Sequence, residues 1–363
     1  MSQHSERARQ WVHIGSAGFA LLLRALTWQQ AAVMAAIALA FNALLLPRMG
    51  GRRLYRPADR ERGFPIGILL YPTAVLLLIL FFRSRLDIAA AAWAILAFGD
   101  GSATLVGRGV QRNAESAEFA ESTFQEKQIS ASSAFIGRAL PWNPNKTIAG
   151  TIAFFVFGAA GAIALAWWTR PAIAPEPSML FVVAAPIAAA AAAALVESLP
   201  ARLDDNISVP FAAGAVLWLA SLMDADAHAA WRLTIEAREP WAIGVNAVVA
   251  SLGYRARTVS LSGTVVGAVI GIVIWIAGGA AAWGLLFASF FAATAASRLG
   301  LARKTRLGIA EERGGRRGAG NAIANCGVAV IAAVAAITTP YTSAALVAFA
   351  AALTAGGSDT VAS

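Results

Sequence analysis

Residues 147–168 read TIAGTIAFFVFGAAGAIALAWW, a run without one charged side chain. As an α-helix rising 1.5 Å per residue it reaches about 33 Å, enough to cross the roughly 30 Å hydrocarbon core of a bilayer. The run shows no two-residue alternation, so it does not suit a barrel strand. Its many Ala and Gly let helix backbones approach closely where lipid supplies no hydrophobic force between helices. Comparable stretches at 11–26, 29–46, 64–82, 88–106, 178–196, 207–222, 241–254, 263–278, 280–296, 322–338 and 342–353 bring the expectation to about twelve spans. The chain is 58% hydrophobic and 13% charged, against roughly 45–50% and 25% in soluble domains, which excludes a water-soluble fold. The expected class is all-α: a polytopic transmembrane helical bundle.

The net charge of +9 does not point to nucleic acid, because the arginines sit in short loops beside apolar segments, where topology signals belong. With Arg7 and Arg9 placing the N-terminus in the cytoplasm, alternation puts Arg48, Arg52, Arg53, Arg56, Arg60 and Arg62 inside as well. The same count places Arg255 and Arg257 inside, and then the loop with Arg298, Arg303, Lys304, Arg306, Arg313, Arg316 and Arg317, as the positive-inside rule requires. The expected location is an inner (plasma) membrane, crossed several times. Residues 11–26 carry Arg24 and lead into a second apolar run with no small-residue cleavage site, so no cleavable signal is expected. Cys326 is the sole cysteine, which excludes an intrachain disulfide and a cysteine metal cluster.

Three polar motifs fall on the predicted cytoplasmic side. The first is Gly99-Asp100-Gly101 with Gly107-Arg108. An acid near the end of an apolar span is costly and marks a functional site by default, and flanking glycines let phosphate or metal approach. Asp100 also fits an ordinary helix cap. Arg108, two turns on, suits phosphate oxygens and equally suits a topology anchor. The second motif is Asn145-Lys146-Thr147, where a cation and a hydroxyl stand at a helix start, a ready place for an anionic phosphate. The third is Glu197 with Asp204-Asp205-Asn206, whose acids suit Mg²⁺ bound with substrate phosphates, or else a turn and cap. No comparable cluster of acid and base is expected on the outer side, where 224–240 reads as a charged connector.

These residues, with Gly150-Thr151 and Ser198-Leu199-Pro200, resemble the phytol and dolichol kinase family over roughly the first 220 positions. The resemblance implies transfer of a nucleotide γ-phosphoryl group, CTP being the usual donor, to a long prenyl alcohol held in membrane lipid. It implies catalytic roles for Asp100, Lys146 and Asp205. Phosphate or nucleotide contacts would come from Gly99, Gly101, Gly107, Arg108, Arg138, Lys146 and Thr147, and a Mg²⁺ site from Asp100, Glu197, Asp204 and Asp205. Arg138 enters because the polar stretch 111–133 separates Gly107-Arg108 from a second pair, Gly137-Arg138, and either pair fits the pattern.

From about Trp241 the chain resembles the phytyl-phosphate kinases, through Ser260-x-Ser262-Gly263, Phe290-Phe291 with Ser297-Arg298, Asn321-x-x-x-Asn325 and Asp359-Thr360-x-x-Ser363. The implied residues are Ser262, Lys304, Asn325 and Asp359, in a second module expected to be incomplete where the sequence stops. Asn321 and Cys326 depart from that family's usual Gln and Gly. The expected domains are 1–223, a connector 224–240, and 241–363. Two rival readings are a CTP-dependent lipid cytidylyltransferase, whose motifs are similar, and a transporter or lipid carrier; acids gathered at one end of the spans favour an interfacial enzyme over a carrier.

Overall fold

The computed structural model describes residues 11–49, 66–110, 137–200, 204–298 and 318–362. The chain divides into two compact units, Met1–Ser221 and Leu222–Ser363, and among the described residues almost all regular structure is helical.

In the first unit a 3-10 helix, Ala17–Arg24, precedes α1 (Trp28–Ala40), α2 (Ile66–Phe81), α3 (Leu86–Ala94), α4 (Ile148–Thr169), α5 (Met179–Ser198) and α6 (Asp205–Ser221). A short hairpin of β1 (Ala139–Leu140) and β2 (Asn143–Thr147) leads into α4. Hydroxyl caps set the starts. Thr27 and Gln30 form a capping box on α1, Thr147 caps α4 and Ser178 caps α5, each satisfying an orphan N–H of the first turn. Every residue of α3 is buried, and it continues through a π-helical stretch, Ile95–Asp100, to Val110. Such stretches recur at functional sites, and this one ends on Asp100.

The packing combines a core rich in alanine with an apolar outer surface. On α4, Ala149, Ala153, Ala162 and Ala166 face inward while Ile152, Val156 and Phe157 are exposed. Small residues inside and large apolar ones outside suit helices whose outer solvent is hydrocarbon. Glycines make the contact between α4 and the span containing α3. A Cβ on Gly99 would fall 2.9 Å from the ring of fully buried Phe154, one on Gly161 would fall 2.3 Å from Phe98, and Gly158 lies against Ile95 and Gly99. Pro72 cannot donate to the carbonyl one turn back on α2, and Asn42 supplies that hydrogen bond instead, Nδ2 to Ile68 O at 3.2 Å. A freed carbonyl at membrane depth needs such a replacement.

The second unit consists of α7 (Ala225–Arg255), α8 (Leu261–Arg298), α9 (Ala319–Thr338) and α10 (Thr342–Ala362). Residues 225–240, expected as a connector, form the first half of α7, started by the side chain of Asp224 accepting from Asp226 N. The expected spans 263–278 and 280–296 both lie in α8, which breaks at Gly279 with φ 69°, a left-handed backbone that glycine adopts without steric cost. Arg238 Nη1 donates to the carbonyls of Ile276 and Ala277 at 3.0 and 3.1 Å, just before the break. Gly271 and Trp283, on either side of it, both meet Asn246, so the chain bends back sharply there.

Six helices among the described residues are long and apolar enough to cross a bilayer: Trp28–Leu45, Leu86–Val110, Ile148–Ala172, Met179–Ser198, Leu261–Ala295 and Ala319–Thr338. The protein is therefore an all-helical, multi-pass membrane protein. The expectation of about twelve separate spans is not reached on length. Ile66–Phe81 and Thr342–Gly357 are apolar but shorter, the segment before Arg24 is partly 3-10, and the first half of α7 is charged, while the expected spans 263–278 and 280–296 are the two halves of α8, divided by the break at Gly279.

Overpacking predicts a contrast within the span 86–110. Gly99→Val should lower stability by about 1–3 kcal/mol, because Phe154 has nowhere to move, whereas Gly109→Val, where a Cβ meets nothing within 4 Å, should cost about 1 kcal/mol or less. Thermal unfolding of both variants in one detergent measures the difference.

Candidate functional site

The hairpin decides where Lys146 goes. Asn143, buried, donates from Nδ2 to Ser198 O at 3.1 Å, and Trp142 Nε1 donates to Ser198 Oγ at 3.3 Å. Asn143 Oδ1 also accepts from Asn145 N at 3.1 Å, holding the turn. These bonds fasten β2 to the C-terminal end of α5. Lys146 Nζ consequently donates to Glu197 Oε1 at 2.5 Å and to Asp205 Oδ2 at 3.1 Å. Two acids, each more than fifty positions from Lys146, thus share one cation.

Asp100 belongs to the same end of the unit. It is partly exposed, and its charge acts on both Glu197 and Asp205. Lys146 is therefore one cation facing three acids, an excess of negative charge that favours a further cation or bound protons. Glu197 is 3% exposed, and its second oxygen, Oε2, is buried with no hydrogen-bond partner among the described residues. An orphaned carboxylate oxygen is expensive to leave unpaired. Burial lowers the Lys146 pKa, but the adjacent Glu197 and Asp205 outweigh it and hold it above its ordinary 10.5.

Glycines weld the first motif to the second. A Cβ on Gly107 would stand 3.0 Å from Thr147 Oγ1, and one on Gly150 would stand 3.1 Å from both Ala103 O and Thr147 Oγ1. Ser102 Oγ donates to Gly99 O and Ala153 O at 3.0 and 3.1 Å across the same seam. Gly99 and Gly101 are buried here, so they make room for helices and not for an open phosphate cradle.

Several expected roles look different in place. Thr147, expected on phosphate, is 5% exposed, and its hydroxyl accepts from Gly150 N at 3.1 Å as the cap of α4. Asp204, expected on metal, accepts at Oδ1 from Asn206 N and Nδ2 at 3.0 and 2.8 Å, the cap of the competing reading. Among the described residues no three acidic, histidine or cysteine side chains gather closely enough to hold a metal ion. The four expected ligands therefore form no ready-made cage, and Lys146 fills the gap between two of them. Arg108 and Arg138 are exposed, the latter beside β1. The stretch 111–133 lies outside the described residues.

At the opposite end of the unit, where no acid–base cluster was expected, Arg85 makes a bidentate pair with buried Asp87 at 2.9 and 2.7 Å and lies over the Phe181 ring. Asp87 sits in the first turn of α3, which the helix dipole favours.

The second unit contains a cavity of about 150 Å³. Its walls are mostly apolar, with Asn246, Ser289, Asn321, Asn325 and Cys326 among them. Asn246 is 4% exposed and accepts from Trp283 Nε1 at 3.0 Å. Of the expected second-module residues, Asn325 lines this cavity, whereas Ser262 is exposed with its hydroxyl 3.0 Å from Ser260 Oγ. Lys304 and the side chain of Asp359 lie outside what the structure describes.

Residues 244–363 match a family model described as integral membrane protein DUF92. No curated protein and no solved structure matches the chain.

Lys146→Met would strand Glu197 and Asp205, and should lower stability by about 2–4 kcal/mol; Glu197→Gln in the same chain should recover part of it. Because Glu197 and Asp205 hold the folded pKa of Lys146 above its ordinary value, its contribution is present below about 10.5 while those two acids are ionised and fades as pH climbs through the higher folded value. Unfolding midpoints should thus show the Lys146→Met deficit undiminished from pH 6 to 9.

Proposed function

We propose that the first unit is an isoprenoid-alcohol kinase, moving the γ-phosphoryl group of a nucleotide, CTP in the leading case, onto the hydroxyl of phytol or a related prenyl alcohol. The observation that carries this reading is the meeting of Lys146 with Glu197 and Asp205, under the influence of Asp100, at one end of an apolar bundle. Phosphoryl transfer requires little covalent help from a protein; it requires positioning and neutralisation of charge. A site at the rim of the bundle serves both partners, because a prenyl tail stays among apolar helices while the nucleotide arrives from water.

The geometry supports a role for each of these groups. Lys146 faces the phosphate oxygens, with Arg108 or Arg138 as exposed helpers. Asp100 or Asp205, ionised, accepts the hydroxyl proton as the new oxygen–phosphorus bond forms and the bond to CDP breaks. Mg²⁺ is proposed to be held by one or two of Asp100, Glu197 and Asp205 together with nucleotide phosphates, in keeping with its habit of needing few protein ligands, and would neutralise phosphate charge. The orphaned Glu197 oxygen and the excess of acids over Lys146 support that fit. On the positive-inside argument the site belongs on the cytoplasmic face. The second unit is proposed as a module related to prenyl-phosphate kinases, its apolar cavity taking the substrate chain.

A product assay decides the matter. Purified protein given CTP, Mg²⁺ and phytol should release CDP and phytyl phosphate, and Asp100→Asn should cut turnover by about 100-fold or more. Release of pyrophosphate would mark a cytidylyltransferase instead, and equal turnover by the variant would remove Asp100 from the chemistry.

A further inference from the structure

A second polar group lies inside the first unit, built from residues outside every motif. His13, from the stretch preceding the 3-10 helix, places Nε2 at 3.6 Å from Asp100 Oδ2 and at 3.3 Å from Leu96 O. Its ring rests on Tyr71 of α2, centroid to centroid 4.4 Å. The Tyr71 hydroxyl accepts from Trp93 Nε1 at 2.7 Å and from Ser16 Oγ at 2.8 Å, and Ser16 Oγ also stands 2.6 Å from His13 O. Three separate helical elements thus contribute to a hydrogen-bonded cluster that sets the His13 imidazole beside the Asp100 carboxylate, at ion-pair and not hydrogen-bond distance.

Polar side chains at membrane depth cost free energy unless paired, and a connected network of them fixes geometry more firmly than single bonds do. Tyr71 and Ser16 hold the His13 ring and backbone. Leu96 O, in the π-helical stretch, receives the same imidazole nitrogen that faces the carboxylate four residues on. That arrangement ties the orientation of Asp100 to His13 and leaves Asp100 partly open on its other side.

We propose that His13 is the positioning residue for Asp100, and that the 11–24 segment is thereby part of the transfer site. The proposal rests on the phosphoryl-transfer reading for its kinetic consequence, and on geometry alone for the pairing. His13 touches neither reactant; it acts by holding the carboxylate in the orientation the reaction uses, as outer-shell partners do elsewhere at a cost of about 10–100-fold when removed.

The test has two arms on the full chain. In the first, ¹⁵N-histidine spectra assign the His13 imidazole by its loss in His13→Gln; Asp100→Asn should shift that signal and leave those of His4 and His228 in place. In the second, His13→Ala should lower kcat by about tenfold or more with the KM for CTP within about twofold, His13→Gln should restore most of it, and His13→Ala added to Asp100→Asn should cause no further loss. Losses that multiply, or an unimpaired His13→Ala, overturn the positioning role. Should the wild type release no CDP with any prenyl alcohol, only the transfer reading falls. The spectrum still judges the pairing: a His13 signal unmoved by Asp100→Asn overturns it.

Discussion

A lysine shared between two carboxylates at the end of an apolar bundle constrains the first unit more than any other contact. Glu197 at the last turn of α5 is buried, and a carboxylate cannot be left unpaired there without a penalty of several kcal/mol. Lys146 must therefore reach it, and Lys146 stands on a two-stranded hairpin that has no core of its own. The hairpin is held by Asn143 and Trp142 gripping Ser198, the neighbour of Glu197. The charge requirement and the hairpin's anchor thus lie in consecutive residues of the same helix, which couples the two.

That coupling depends on how closely the helices can approach. Gly99, Gly107, Gly150 and Gly158 remove side chains along the seam between α4 and the span from Leu86 to Val110. Backbone contact along it brings Asp100 to the end where Lys146 is delivered. Where lipid replaces water, apolar side chains gain little by turning inward, so many of the bundle's contacts are made by small residues while large ones such as Val156 and Phe157 stay exposed. The second unit follows the same economy of satisfied backbone. Its long helix breaks at Gly279, and Arg238 supplies donors to carbonyls beside the break, while Asn246 braces the returning half through Trp283.

The membrane class was readable from residue content, because twenty apolar residues in a row have few other destinations. The number of crossings was less readable. Apolar runs at 66–81 and 342–357 are bounded by sequence, but whether each half of α8 stands alone depends on one backbone angle at Gly279. The charged run at 224–240 resembles a loop in composition, yet the Asp224 cap starts a helix there that runs on past Pro240 to Arg255. Thr147 and Asp204 show a similar ambiguity: the residues of a phosphate or metal motif are also those of a helix cap, and their hydrogen bonds are those of the cap.

The sequence by itself determined that the chain lives in a membrane as helices and that acids and bases collect near the ends of some of them, since both follow from hydropathy and from the cost of charge in hydrocarbon. Only the tertiary structure decided which of those groups meet. Lys146 with Glu197 and Asp205, and His13 with Asp100, depend on helix packing and on a hairpin's anchor. Partners more than fifty positions apart leave no periodic trace along a single chain, because their proximity is a property of how the helices pack and not of any one segment.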